Sequence, residues 1–218
     1  MEVKVLMIDD HPPIIEGYKS ILTLNPYGYD LNTTTAFSCE IAYKIITTTK
    51  IPFDIVMVDI TLPPYPEKGI NSGEDLVILV KKYLPNTKVM VLTSHAESLV
   101  LYRILKECNP DGLLVKSDFL SDEFLIAFDT IVKGDTYHSI SVKNLKTDLV
   151  PSTKYLDNYN RQIIILLAQG IQTKSLSERL NLSKSAIDKR KAIIKQYFGI
   201  EKGTDEDILR EARKQGLI

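Results

Sequence analysis

The chain changes its hydrophobic rhythm near residue 132. Before that point, short apolar runs of strand type alternate with stretches whose apolar residues recur at helical spacing. That alternation predicts βαβ units around a parallel sheet. The clearest strand runs are Val3 to Ile8, Phe53 to Val58, Lys88 to Leu92 and Gly112 to Val115. Helical spacing follows at Ile14, Ile15, Tyr18, Ile21 and Leu22, and again at Ile41, Ala42, Ile45 and Ile46 behind a capping Ser38. A third helix starts at Ser72, carries Leu76, Val77, Leu79 and Val80, and ends before Pro85. A fourth covers Leu99 to Leu105, and a fifth runs from Asp118 to Val132 and is broken by Gly134.

Residues 134–156 lack sustained periodicity and include Pro151 and Ser152, so they read as a linker with a short helical piece near Ser141 to Leu145. From there on the pattern is helical only. One helix spans Asn158 to Gln169 and stops at Gly170, a residue type suited to ending a helix. Thr173 is placed to cap a short helix to Leu180, and Ser183 a longer one to about Phe198. Thr204 with Asp207 forms a capping-box pattern for a last helix. The expected architecture is an α/β unit with a doubly wound parallel sheet, followed by a small all-α unit. The boundaries are 1–133, a linker at 134–156, and 157–218.

The chemistry gathers at strand ends. Asp9 and Asp10 follow the first run, Asp59 the second, Thr93 and Ser94 the third, and Lys116 the fourth. In an open parallel sheet the carboxyl ends of the strands share one edge, where ligands bind. Three carboxylates, a hydroxyl and a lysine therefore converge in space. Clustered carboxylates repel one another and suit a hard cation such as Mg²⁺, which takes oxygen ligands and keeps several waters. A carboxylate beside such a metal can attack phosphorus and form an aspartyl phosphate. A lysine can pair with the new phosphoryl oxygens. The plainer reading of any one acid is a solvated strand-end residue.

The set Ile8-Asp9-Asp10, Val58-Asp59-Ile60-Thr61-Leu62-Pro63, Val91-Leu92-Thr93-Ser94 and Lys116 resembles the receiver domain of two-component response regulators, over about residues 1–132. The resemblance implies a flavodoxin-like fold on a doubly wound, five-stranded parallel sheet, with Asp59 as phosphoacceptor. It implies Mg²⁺ held by Asp9, Asp10, Asp59 and the backbone carbonyl of Thr61. It also implies phosphate sensing by Thr93, Ser94 and Lys116. Two features depart from the family pattern. Leu113 stands where an aromatic residue is usual, and a long stretch, Leu62 to Gly73, separates Asp59 from the next helix. Three prolines there predict a stiff, non-helical loop, read as a surface insertion or a partner surface.

Charge is divided between the two parts. Residues 1–150 hold 14 Lys+Arg against 20 Asp+Glu, and residues 151–218 hold 13 against 8. An acidic first part and a basic second part fit a phosphate-handling switch joined to an anion-binding module. The two cysteines, Cys39 and Cys108, have no metal-ligand spacing and fit buried structural roles in a reducing compartment. No apolar run reaches the length of a membrane span, and a cytoplasmic protein is expected.

Helices joined by Asn181-Leu182-Ser183 fit a helix-turn-helix or an ordinary helical hairpin. Ile163 to Gly170, Ser175 to Leu180 and Ser183 to Ile187 resemble the LuxR/NarL class of DNA-binding domains, over about residues 156–200. That class usually has an acid at the position of Asn160 and a basic or polar residue at Asp188. On a helical wheel of the second helix, Ala186, Ile187, Ile193, Ile194, Tyr197 and Phe198 face the core. Ser185, Asp188, Lys189, Ala192 and Lys195 face outward, where a major groove would be read. Lys184, Lys191 and Lys195 flank that face and suit phosphates. Thr173 and Lys174 complete the expected DNA-contacting set. Asp188 suits a cytosine amino group or an intrahelical lysine, and Arg190 falls on the core side.

These features together imply a phosphorylation-controlled transcriptional regulator. A sensor histidine kinase donates to Asp59, and homodimerisation and double-stranded DNA binding follow. The chain is not expected to be an enzyme beyond weak autophosphorylation and autodephosphorylation. An aspartate-nucleophile phosphatase fits less well, because Thr61 occupies the place of that class's second Asp. A receiver that no longer uses phosphate is the other alternative. His11, His95 and His138 lack ligand spacing, although His95 borders Thr93.

Overall fold

The structure is a computed structural model, described for residues 1–145, 156–200 and 202–218. The central part of the expected linker, residues 146–155, lies outside the described residues, with Pro151 and Ser152. The chain forms two compact units, Met1–Ala96 with Arg103–Lys143, and Glu97–Tyr102 with Asn144–Ile218.

The first unit is built on a parallel sheet in the order β2-β1-β3-β4-β5-β6. Its strands are β1 (Glu2–Ile8), β2 (Asp30–Ala36), β3 (Ile55–Asp59), β4 (Lys88–Thr93), β5 (Gly112–Val115) and β6 (Tyr137–His138). The reversal of order at β1 and β3 creates the crevice at which such sheets bind ligands. β3 and β5 are buried along their whole length, which explains their unbroken apolar sequences. β2 lies at the edge, and its Asn32-Thr33-Thr34-Thr35 is accordingly polar and β-branched.

The sheet has six strands rather than the expected five. β6 pairs parallel with β5 through Gly112 with Tyr137 and Leu113 with His138. It lies in the stretch read as linker, because two residues are too few to show a period of two.

Helices α1 (Pro12–Thr23), α2 (Cys39–Thr48), α3 (Gly73–Tyr83), α4 (Ser98–Arg103) and α5 (Ser121–Val132) follow the strands in turn, although α4 up to Tyr102 is grouped with the second unit. Ser38 and Ser72 cap α2 and α3 by accepting from the amides of Ile41 and Glu74. α4 runs into a π-helical turn, Ile104–Cys108, closed by left-handed Asn109. α5 begins later than expected, because Asp118 has other partners. α1 and α5 bury Ile15, Tyr18, Leu22, Phe124 and Phe128 against Val5, Met57 and Leu92 of the sheet. Each such side chain contributes about 1.5–3 kcal/mol by leaving water.

The long loop after β3 is ordered. Tyr65 and Ile70 form an antiparallel bridge around a short 3-10 turn, Pro66–Lys68. The Tyr65 ring meets Tyr43 of α2 edge-on at 5.9 Å. The loop ends at Gly73, whose Cα faces the backbone of Asp59. A Cβ there would lie 1.9 Å from the Asp59 carbonyl oxygen, so only glycine permits this approach.

A short α6 (Ile140–Lys143) follows β6. The second unit contains α7 (Asn158–Ala168), α8 (Thr173–Leu180), α9 (Lys184–Tyr197) and α10 (Asp205–Lys214). Its core gathers Leu156, Ile163, Ile164, Leu176, Ile187, Ile194, Ile208 and Ala212. Asn181 adopts the left-handed conformation that ends α8, and Ser183 caps α9 through the Ala186 amide. Thr173 does not cap α8. It is the first helical residue, and its hydroxyl donates to Asp205 at 2.7 Å.

Candidate functional site

The carboxyl ends of β1, β3, β4 and β5 bring the strand-end residues together as expected. Lys116 donates to Asp9 Oδ2 at 2.8 Å, and its Nζ lies 3.3 Å from Asp59 Oδ2. One ammonium thus partly neutralises two carboxylates that are almost completely buried. Burial holds the Asp59 carboxyl above the usual carboxylate range. Lys116 opposes that rise, Asp9 adds to it, and a hydrogen bond from the Thr61 backbone opposes it.

Among the described residues, two buried oxygens, Asp10 Oδ1 and Asp59 Oδ1, have no hydrogen-bond donor. His11 Nδ1 lies 2.8 Å from Asp10 Oδ1, yet the alignment is not that of a hydrogen bond. Uncompensated buried carboxylate oxygens call for an explanation, and a divalent cation supplies one. Ligand atoms of Asp9, Asp10 and His11 lie within 4.8 Å of one another. The donor set, rich in carboxylate oxygen, fits Mg²⁺.

Thr93 is fully buried, and its hydroxyl accepts from the His95 amide at 3.1 Å. The Lys116 amide donates to the Thr93 carbonyl at 2.7 Å, so the hydroxyl-bearing strand and the lysine-bearing turn are joined through backbone. Ser94 follows Thr93 at the same strand end, and Thr61 lies in the loop after Asp59. Leu113 is fully buried in β5.

The sequence reading gave His11 no ligand spacing, whereas the fold places its ring beside Asp9 and Asp10. Its amide donates to Asp9 Oδ1 at 2.9 Å, and its ring lies between the two acids. Its position next to Asp9-Asp10 was the available signal. Gly73 was counted only as the end of the loop, although it sets the distance between α3 and Asp59.

In the second unit, the outward face of α9 presents Lys184, Ser185, Asp188, Lys189 and Ala192 to solvent, and Lys174 of α8 is also exposed. Asp188 forms no ion pair with Lys184 or Lys191 among the described residues. Lys191 and Lys195 are engaged within the unit. Lys191 binds Asp205 at 2.6 Å and the Thr173 hydroxyl at 2.9 Å, and Lys195 donates to the Gly203 carbonyl at 2.6 Å. Burial alone would raise the Asp205 carboxyl. The hydrogen bonds from Lys191 and Thr173 outweigh it and hold the group below its ordinary range. Arg190 points inward. It donates to Asp157 and to Asn160 Oδ1 at 3.0 Å and stacks over the Tyr159 ring.

The strand-end acids, the buried threonine and the bridging lysine on this sheet define a response regulator receiver, and the second unit is helical, with Asn181 to Ser183 joining α8 to α9. The family model described as "Response regulator receiver domain" matches residues 5–122, and the chain belongs to that family. Over its whole length it is similar to the oxygen regulatory protein NreC of Staphylococcus aureus, with 25% identity and 99% of each chain covered. Its fold is similar to that of RcsB from Salmonella enterica serovar Typhimurium, solved on the promoter rprA with the phosphomimetic BeF3⁻. There the TM-score is 0.64 at 18% identity, with 97% of this chain and 98% of that one covered. A LuxR-family response regulator from Aurantimonas gives a TM-score of 0.56 at 23% identity, with 69% of this chain and 99% of that one covered. Among the described residues no helix is long and apolar enough to cross a membrane.

Proposed function

We propose that this chain is a transcriptional regulator switched by phosphorylation of Asp59. The observation that carries the reading is the single ammonium of Lys116 shared by Asp9 and Asp59 beside two carboxylate oxygens without donors. Asp9, Asp10, Asp59 and the Thr61 carbonyl would hold Mg²⁺, which supplies charge compensation for phosphoryl transfer. An Asp59 oxygen attacks the phosphorus of a sensor kinase phosphohistidine. The P–N bond breaks as the P–O bond forms. Lys116 then follows the phosphoryl oxygens, and the Thr93 hydroxyl and Ser94 contact them. The chain itself does no more than slow transfer from small acyl phosphates and slow hydrolysis.

The output is homodimerisation and binding of double-stranded DNA in a cytoplasmic setting. Lys184, Ser185, Asp188, Lys189 and Ala192 of α9 and Lys174 of α8 form the free part of the reading surface. Thr173, Lys191 and Lys195 belong to the proposed interface through the helix positions they fix. RcsB bound to promoter DNA with BeF3⁻ supports this direction of control.

The test is DNA affinity measured on a sequence selected from a random duplex pool, with and without acetyl phosphate and Mg²⁺. Phosphorylation should tighten binding by about five-fold to a hundred-fold in the native chain and not in Asp59→Asn. Equal response of both proteins would overturn the reading.

A further inference from the structure

Asp118 lies two residues beyond Lys116, and its carboxylate gathers three hydrogen bonds from a single distant segment. Ser139 Oγ donates to Asp118 Oδ2 at 2.5 Å, the Ser141 amide to the same oxygen at 2.9 Å, and the Ser141 hydroxyl to Oδ1 at 2.8 Å. Ser139 is 4% exposed, and its hydroxyl also accepts from the Val115 amide at 3.0 Å. The segment is fastened further by the Ser139 amide on the Leu113 carbonyl and the Tyr137 amide on the Asp111 carbonyl. It comprises β6 and α6, through which the chain leaves the first unit.

The opposite side of the same turn is tied to the switch strand through the Lys116 amide and the Thr93 carbonyl. Val115, Lys116 and Asp118 are therefore clamped between β4 and residues 137–143. Part-buried hydroxyl–carboxylate bonds of this kind cost free energy to leave unmade. A shift of the turn that follows the Lys116 ammonium must carry the exit segment or break its bonds.

We propose that Asp118 and Ser139 are positioning residues that couple the state of the phosphate site to the segment Tyr137 to Lys143, which enters the chain joining the two units. The proposal rests on the phosphoacceptor reading of Asp59. It assigns a function to β6, which is too short to add much to the sheet. It also gives Asp118 a signalling role rather than a place in α5.

The test is hydrogen–deuterium exchange of the full chain, free and after acetyl phosphate with Mg²⁺, with Asp59 labelling read by intact mass. In the native protein, amides of residues 137–143 should change their exchange on labelling. In Asp118→Ala these amides should exchange about ten-fold faster before labelling, and labelling should no longer change them, while Asp59 is still modified. Ser139→Ala, which leaves the carboxylate in place, should show the same loss of response. If either variant keeps the native response, or if the labelled native protein shows no change in this segment, the coupling is refuted while the phosphoacceptor reading stands. Absence of any Asp59 adduct in the native chain would overturn both.

Discussion

Lys116 sits closer to Asp9 than to Asp59, 2.8 Å against 3.3 Å, so the cation of the site is held chiefly by the first strand. Asp59 Oδ2 lies 3.3 Å from that ammonium, and among the described residues Asp59 Oδ1 has no hydrogen-bond donor. Such an arrangement favours an incoming electrophile at Asp59 and keeps the lysine at hand for the charge that arrives with it.

Removing that lysine should expose the repulsion it contains. In Lys116→Met, two buried carboxylates lose their shared partner. Urea unfolding should show a loss of roughly 2 kcal/mol in the absence of divalent metal, part of the penalty being relieved by protonation of a carboxyl. Mg²⁺ should restore more stability to the variant than to the native chain. Equal response to Mg²⁺ would contradict the assigned ligand set.

The pH dependence of Asp59 has a definite sign. Burial raises its folded-state carboxyl above the ordinary value, so the native state binds this proton more tightly than the unfolded state does. Above the folded-state value the ionised group weakens the fold, and that cost fades as pH falls from the folded-state value to the lower unfolded one. Asp59→Asn should therefore be more stable than the native chain at neutral pH, with the difference closing in acid. Thermal unfolding across pH in metal-free buffer measures it.

Gly73→Ala tests the close approach of α3 to the phosphoacceptor. The added Cβ meets the Asp59 carbonyl oxygen, which is backbone and cannot rotate away. A loss of about 1–3 kcal/mol is expected, together with slower labelling of Asp59. Gly69→Ala, strained by its left-handed φ but with nothing near its Cβ, is the control, and labelling there should remain normal.

The lysines of α9 should separate into two kinds. Lys189→Ala should leave stability within about 0.5 kcal/mol and weaken DNA binding. Lys191→Ala should destabilise the second unit by freeing Asp205 and Thr173, and any DNA defect should accompany that loss. Urea unfolding and salt-dependent DNA titration of both variants distinguish the two. A Lys191 variant of native stability would contradict the network.

The meeting of Asp9, Asp59 and Lys116 was legible in the sequence because each ends an apolar strand, and strand ends of a parallel sheet share an edge. The faces of α9 were legible for a similar reason, since 3.6-residue periodicity sorts apolar Ile187 and Ile194 from exposed Lys184 and Lys189. What stayed hidden depends on partners distant in sequence. A helical wheel places Lys191 on a flank but says nothing of an acid from α10 beneath it. Asp118 read as the start of a helix, because the serines that claim its carboxylate lie across β6, and two residues of strand leave no periodic trace.

Transfer of a phosphoryl group to Asp59 underlies every other step proposed for this chain. Intact mass after incubation with acetyl phosphate and Mg²⁺, for the native chain and Asp59→Ala, tests it most directly. A single phosphate adduct on the native chain, lost in the variant, is the expected result. No adduct under conditions that label a control receiver, or an adduct that survives the substitution, would contradict it.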